Sequence, residues 1–344
     1  MDPLIFTGIP VGLAFGFALS RGRFCMNSAF RDIFVMKEYS LLKTVGLAIV
    51  VSMIGFALMD VTEVISISPV PFWWGANILG GFIFGIGMVV AGGCASGITY
   101  RFGEGMVGAM TAVVGLAFVG LMTSIGVFNP FISSLRSATT VTLADGANLT
   151  LANVFGIPHY ILALAIAGVA LIIWAIFSKG GGSSTEQVSL SERFLKRGWG
   201  WTFTGVVLGL IGIAAFAASA STGRMYPLAI TGGYLSTLKT LILGQNLMTW
   251  LPIMLLSTIV GAFLAALISG EFRLRAPAPK VLIQCFFGGC LMGFGAVCGG
   301  GCNITHILSG VPQLALSSIL NGVFIIFGCW AAAWWMFIRP MRNI

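Results

Sequence analysis

Charge is what this sequence has least of. Among 344 residues there are 18 Lys or Arg, 10 Asp or Glu and 2 His, so charged residues make up 8% of the chain, against about 25% in a soluble domain. So little charge cannot cover a water-facing surface, which excludes a soluble globular protein. The two histidines, His159 and His306, fall in different halves. Cys298 and Cys302 are close in sequence, but no second pair completes the roughly four N, S or O ligands that zinc takes, so no metal site is expected. No Asp or Glu inside an apolar run stands out as a proton relay. Ser/His/Asp, Walker and dinucleotide patterns are missing as well, so neither ATP hydrolysis nor a cofactor is expected. Residues 1–10 have no basic start, and the first apolar stretch runs straight on, so no cleavable leader is expected either.

What is present is apolar: 58% of residues are hydrophobic and the mean hydropathy is +1.01. Runs of spanning length fall near 4–20, 41–60, 72–91, 106–127, 158–177, 202–220, 247–268, 279–297 and 313–338. They predict an all-α polytopic membrane protein of about nine transmembrane helices, embedded in lipid. Four further apolar stretches are too short or broken to span: 22–36, 92–100, 223–238 and 299–309. Irregular backbone survives at membrane depth only under protein or along a water-filled cavity, so these are expected to be re-entrant half-helices or loops meeting near the centre. The hydrophilic stretch 179–197 reads as a flexible linker, and 129–158 as a polar loop on the opposite side.

The net charge of +8 encodes orientation here rather than a nucleic-acid partner. Placing the N-terminus outside puts fifteen Lys and Arg on the inner side and three outside, at 136, 224 and 239. That bias predicts a multi-pass protein of the inner (plasma) membrane with an outer N-terminus and a cytoplasmic C-terminus.

Two stretches repeat at an offset of 208: Gly85 to Cys94 (G-I-G-M-V-V-A-G-G-C) and Gly293 to Cys302 (G-F-G-A-V-C-G-G-G-C). Gly92, Gly93 and Cys94 match Gly300, Gly301 and Cys302. Residues 20–25, S-R-G-R-F-C, match 221–226, S-T-G-R-M-Y, at an offset of 201, so Arg23 pairs with Arg224 and Cys25 with a tyrosine. Four spans lie on each side of the fifth, so the second set enters from the opposite face. This predicts an inverted repeat, as in many secondary transporters. The expected division is 1–157 (four spans and the outer loop), 158–198 (connecting span and linker) and 199–344 (four spans).

Glycine at a helix break permits positive φ and brings backbone N–H groups to a substrate. A half-helix starting after Cys94 or Cys302 would favour an anion at its N-terminus, and Ser96, Asn303 and Thr305 have capping chemistry. The plainer account of these cysteines, small apolar residues at a tight turn, is weakened by their repetition. Arg23 and Arg224 are either site cations or interfacial orientation signals. Cys298 aligns with Val90 and is a secondary candidate. Cys285, Cys290 and Cys329 have no repeat partner and read as packing. Arg101 and Glu104 are expected at the cytoplasmic mouth.

Three motifs resemble the YeeE/YedE family of sulfur transporters: Gly22-Arg23-Phe24-Cys25 with Ser28-Ala29-Phe30-Arg31-Asp32, Ala91-Gly92-Gly93-Cys94-Ala95-Ser96-Gly97, and Gly301-Cys302-Asn303-Ile304. The resemblance covers both halves. It implies an hourglass-like path lined by Cys25, Cys94 and Cys302, import of thiosulfate, and a TusA-like sulfurtransferase partner in the cytoplasm. Thiosulfate is a dianion with hard oxygens and one soft sulfur. Thiols are weak, polarisable S–H donors suited to brief contact with that soft end, and weak successive contacts permit release. The alternatives are another sulfur or selenium species, or a membrane thiol-redox or sulfurtransferase enzyme working through a persulfide.

Overall fold

The computed structural model describes residues 3–143, 146, 148–177, 195, 198–244 and 249–341. The expected linker 179–197 lies outside them apart from Leu195. A tight helical turn, Pro3–Thr7, leads into α1 (Gly8–Arg21), and the short α2 (Met26–Val35) follows before α3 (Ser40–Val61). Then come α4 (Trp74–Val90), the short α5 (Ala95–Gly103) and α6 (Val107–Ser124). The stretch expected as a polar loop is folded: it holds the amphipathic α7 (Asn129–Thr139) and the single-turn α8 (Leu151–Phe155). It also holds Thr140–Val141 (β2), which pairs antiparallel with Phe72–Trp73 (β1). After α9 (His159–Phe177) the chain continues as α10 (Trp201–Ala220), α11 (Ile230–Leu243), α12 (Trp250–Ile268), α13 (Pro279–Gly299), the π-wound α14 (Ile304–Gly310) and α15 (Leu316–Ala333), which runs on to Met341.

Eight helical stretches among the described residues are long and apolar enough to cross a membrane, and α9 adds a shorter apolar run, His159–Trp174. The protein is therefore an all-α multi-pass membrane protein. The four stretches too short to span are α2, α5, α11 and α14 with their leading turns, so each unit runs long, short, long, long, short, long. That order occurs once before α9 and once after it.

Packing runs between the units. The most extensive helix pairs are α6 with α13, α4 with α15, α1 with α12, α3 with α10, and α4 with α13. Exchanging each helix for its counterpart turns the first pair into the second and the third into the fourth, and leaves the last unchanged. Lipid supplies no hydrophobic drive between helices, so close approach depends on small residues. At the α4–α13 crossing a methyl on Gly80 would strike the backbone of Gly299, and one on Gly288 would strike that of Ala91. Just past α4 stands Gly92 at φ +71°, and just past α13 Gly300 at φ +95°, conformations open to glycine at little steric cost.

Candidate functional site

Three of the four short helices are entered through residues that the sequence singles out. Cys25 and Cys94 are the extended residues immediately before α2 and α5. Cys94 Sγ accepts from the Gly97 N–H at 3.3 Å and lies 3.3 Å from Ser96 Oγ. The two sulfurs are 3.7 Å apart and buried. Gly97 leaves the room for this pair: a Cβ there would stand 2.6 Å from Cys25 Sγ and 3.4 Å from Cys94 Sγ.

Cys302 is the counterpart before α14. It is buried, with Sγ 3.5 Å from Thr305 Oγ1. Tyr226, which stands where the first unit has Cys25, donates its hydroxyl to Thr305 O at 2.8 Å. Asn303 is buried between the units, and its Nδ2 donates to Met26 Sδ at 3.0 Å. Cys329, read from sequence as packing, places Sγ 3.8 Å from Asn27 Oδ1.

Charged cavities open on either side. One, of about 290 Å³, is lined by Arg136, Arg224, Tyr226, Thr305, Gly300 and Gly301 among others, with no carboxylate in its wall. Arg136 stacks on Trp73 at 4.1 Å and donates to Val297 O and to Cys298 O, the latter at 3.3 Å, in the last turn of α13. In the first unit the equivalent carbonyl, Val90 O, is met by the neutral Gln284 at 3.1 Å. Arg224 donates to Tyr226 O and, at 2.6 Å, to Pro227 O.

The other cavity, of about 320 Å³, is lined by Arg23, Tyr100, Arg101, Glu104, Met106, Glu271 and Arg275. Burial pushes the Glu104 carboxyl above the usual carboxylate range, against the hydrogen bond from Ser20 Oγ at 2.7 Å and the charge of Arg101. For Glu271 burial also pulls upward, but Arg21 at 2.6 Å and Arg23 at 3.0 Å outweigh it and hold the carboxyl low.

The structure brings Cys25, Cys94 and Ser96 together and sets Gly300, Gly301 and Arg224 on the wall of the opposite cavity, while Cys302 and Asn303 lie fully buried beyond that wall. Gly92 and Gly93 form the turn into Cys94, where Arg101 Nη1 donates to Gly92 O. Arg23 is not a deep charge: its side chain is 73% exposed on the cavity rim, while the neighbouring Arg21, at 1%, is the buried one. Cys298 faces away from Cys302, with Sγ 3.6 Å from Ala76 O on α4. Sequence reasoning passes over Arg136, Met26 and Asn27. Arg136 sits in what reads as a polar loop, and the counterparts of Met26 and Asn27 at the 201 offset are Pro227 and Leu228. Among the described residues no three His, Cys, Asp or Glu converge on a point that could hold a metal.

Paired sulfurs, a third buried sulfur before α14 and two arginine-lined cavities leave the family to be decided by comparison. The description "Sulphur transport" matches residues 21–331. The chain belongs to the sulphur transport family. Among curated members of that kind, the protein named thiosulfate transporter TsuA from Spirochaeta thermophila is 39% identical over 344 residues, covering 98% of this chain and all of the relative. The one of the same name from Escherichia coli is 31% identical over 352 residues, covering 100% of this chain and 97% of the relative. The probable transporter YedE of Escherichia coli is 37% identical over 88 residues, 25% of this chain. Membership bears out the resemblance read from the three motifs, and it makes this sulphur-transport chain a transporter rather than an enzyme.

Proposed function

We propose that this protein imports thiosulfate across the cell inner membrane, passing it from a contact at Cys302 to the Cys25–Cys94 pair. The 3.7 Å pair of thiols at the starts of two re-entrant helices carries the reading, and the printed names of the two full-length relatives supply the substrate. In this reading the Arg136–Arg224 cavity is the outer entrance and the Glu104–Glu271 cavity the cytoplasmic exit, with the N-terminus outside and the C-terminus inside. The dianion is drawn in by an entrance lined by arginines without carboxylates. Its terminal sulfur meets thiols, which are soft and weak donors, while its oxygens meet Arg224, the Gly300-Gly301 turn and Asn303. No contact is strong enough to hold it, as passage requires. At the exit Glu104 and Glu271 offset Arg23, Arg101 and Arg275, which favours release. A TusA-like sulfurtransferase is the partner that takes the ion there. The repeat units are 1–157 and 199–344, joined through 158–198.

Growth on thiosulfate as sole sulfur source, in a host without its own importers, tests this. The wild type restores growth, and Cys25→Ala, Cys94→Ala and Cys302→Ala, at equal expression, do not. No growth with the wild type removes thiosulfate as the substrate. Growth with all three variants removes the cysteine path.

A further inference from the structure

Between the paired sulfurs of Cys25 and Cys94 and the sulfur of Cys302 lies a contact made by their next neighbours in sequence. Met26 follows Cys25, Asn303 follows Cys302, and Asn303 Nδ2 donates to Met26 Sδ at 3.0 Å. Both residues are wholly buried. A thioether sulfur is a weak acceptor, so the amide N–H has a poor partner. The other end of the amide, Asn303 Oδ1, has none among the described residues. One position beyond Met26, Asn27 is also wholly buried, and its Nδ2 likewise has no partner there. Buried polar groups in proteins are ordinarily satisfied. Two amides left short where the start of α2 meets the residue leading into α14 point to a ligand that is present only in passing.

We propose that Met26 is the movable barrier of the path, latched by Asn303, and that when its thioether swings aside the Nδ2 groups of Asn27 and Asn303 receive the oxygens of a divalent oxyanion midway across. The site rests on the transport reading; the barrier is tested without it. Methionine suits the part because it is unbranched and turns about three side-chain bonds. Neutral amides suit theirs because an arginine buried there would hold a dianion rather than pass it on. The device exists once: the counterparts of Met26, Asn27 and Asn303 in the other unit are Pro227, Leu228 and Ala95.

Two measurements test it. A sulfonate-bearing methanethiosulfonate reagent is applied to one face of sealed membrane vesicles of either orientation, and adducts are located by peptide mass spectrometry. In the wild type one face labels Cys302 and the other labels Cys25 and Cys94. In Met26→Ala the inner pair is labelled from both faces, at least tenfold faster from the formerly closed one, while the volume-conserving Met26→Leu keeps the sidedness. In proteoliposomes Asn27→Ser and Asn303→Ser, checked for folding by gel filtration and melting, raise the KM for thiosulfate at least tenfold. Labelling from both faces in the wild type, or unchanged sidedness in Met26→Ala, overturns the barrier. A KM within twofold of the wild type in both asparagine variants overturns the oxyanion site. Wild-type proteoliposomes that take up no thiosulfate overturn the transport reading instead, and the labelling still judges the barrier.

Discussion

At the scale of single residues, the charges around the two cavities do different work. Arg136 and Arg224 face a cavity with no carboxylate in its wall, so removing either charge weakens the attraction felt by an arriving dianion. Arg136→Gln and Arg224→Gln each raise the KM for uptake about fivefold, an effect of about 1 kcal/mol, as for a unit-charge contact in water-like surroundings. The gap from wild type narrows as salt is raised; initial rates at two ionic strengths check both statements. On the other side Glu271 pairs with the buried Arg21. Losing one partner of a fully buried pair costs about 3–5 kcal/mol, but Glu271 is 37% exposed and water screens it, so Glu271→Gln costs about 1–2 kcal/mol. The held-down carboxyl gives a sign: its stabilisation is present above the ordinary carboxylate pKa and lost as pH falls through the lower folded value. The melting-temperature gap between wild type and Glu271→Gln is therefore widest near neutral pH and closes below about pH 4. Cys94 and Cys302 were legible in the sequence because a glycine turn precedes each at one offset. Arg136 was not, because nothing in a polar stretch says which side chain will reach back to the end of α13. Asn27 and Met26 were hidden by the repeat comparison itself, which pairs them with Leu228 and Pro227.

At the scale of elements, the helix ends matter more than the spans. α4 and α13 both stop at a glycine of positive φ, and each turn delivers a cysteine to the start of a short helix. A side chain at either position is strained by about 1–3 kcal/mol. Gly92→Ala and Gly300→Ala therefore melt lower and lose uptake more than the open space around Gly92 alone would suggest, as thermal denaturation and transport assays on purified protein would show. Mid-helix, the α4–α13 crossing has no room for a side chain. Gly80→Val and Gly288→Val press into neighbouring backbone and leave little folded protein in the membrane, read by detergent gel filtration. The nine runs and four broken stretches were visible because hydropathy and glycine mark them. The folding of 129–158 into α7, β2 and α8 was not, because its order comes from docking: Phe72 and Trp73 supply the partner strand, and Trp73 the ring under Arg136.

At the scale of the whole molecule, the helices before α9 and those after it are not separate bodies. Every one of the five largest helix pairings joins a helix before α9 to one after it, so neither set buries its small-residue faces alone. Residues 1–157 or 199–344 expressed singly fail to accumulate, whereas co-expression of 1–178 with 198–344 restores a complex that co-purifies; immunoblots of membranes with and without the second piece decide it. The doubled order of long and short helices could be anticipated because matching motifs recur at fixed offsets. The interleaving could not, since an offset says which residues correspond and nothing about which ones touch. It bears on how the protein is made. While a ribosome is still working on the second half, α1, α3, α4 and α6 are already in the bilayer with glycine-lined grooves and no partner to fill them. The nascent chain must wait, shielded by lipid or by the insertion machinery, until α10, α12, α13 and α15 arrive in an order set by synthesis, and only then can Cys25, Cys94 and Cys302 become buried as they are in the folded chain.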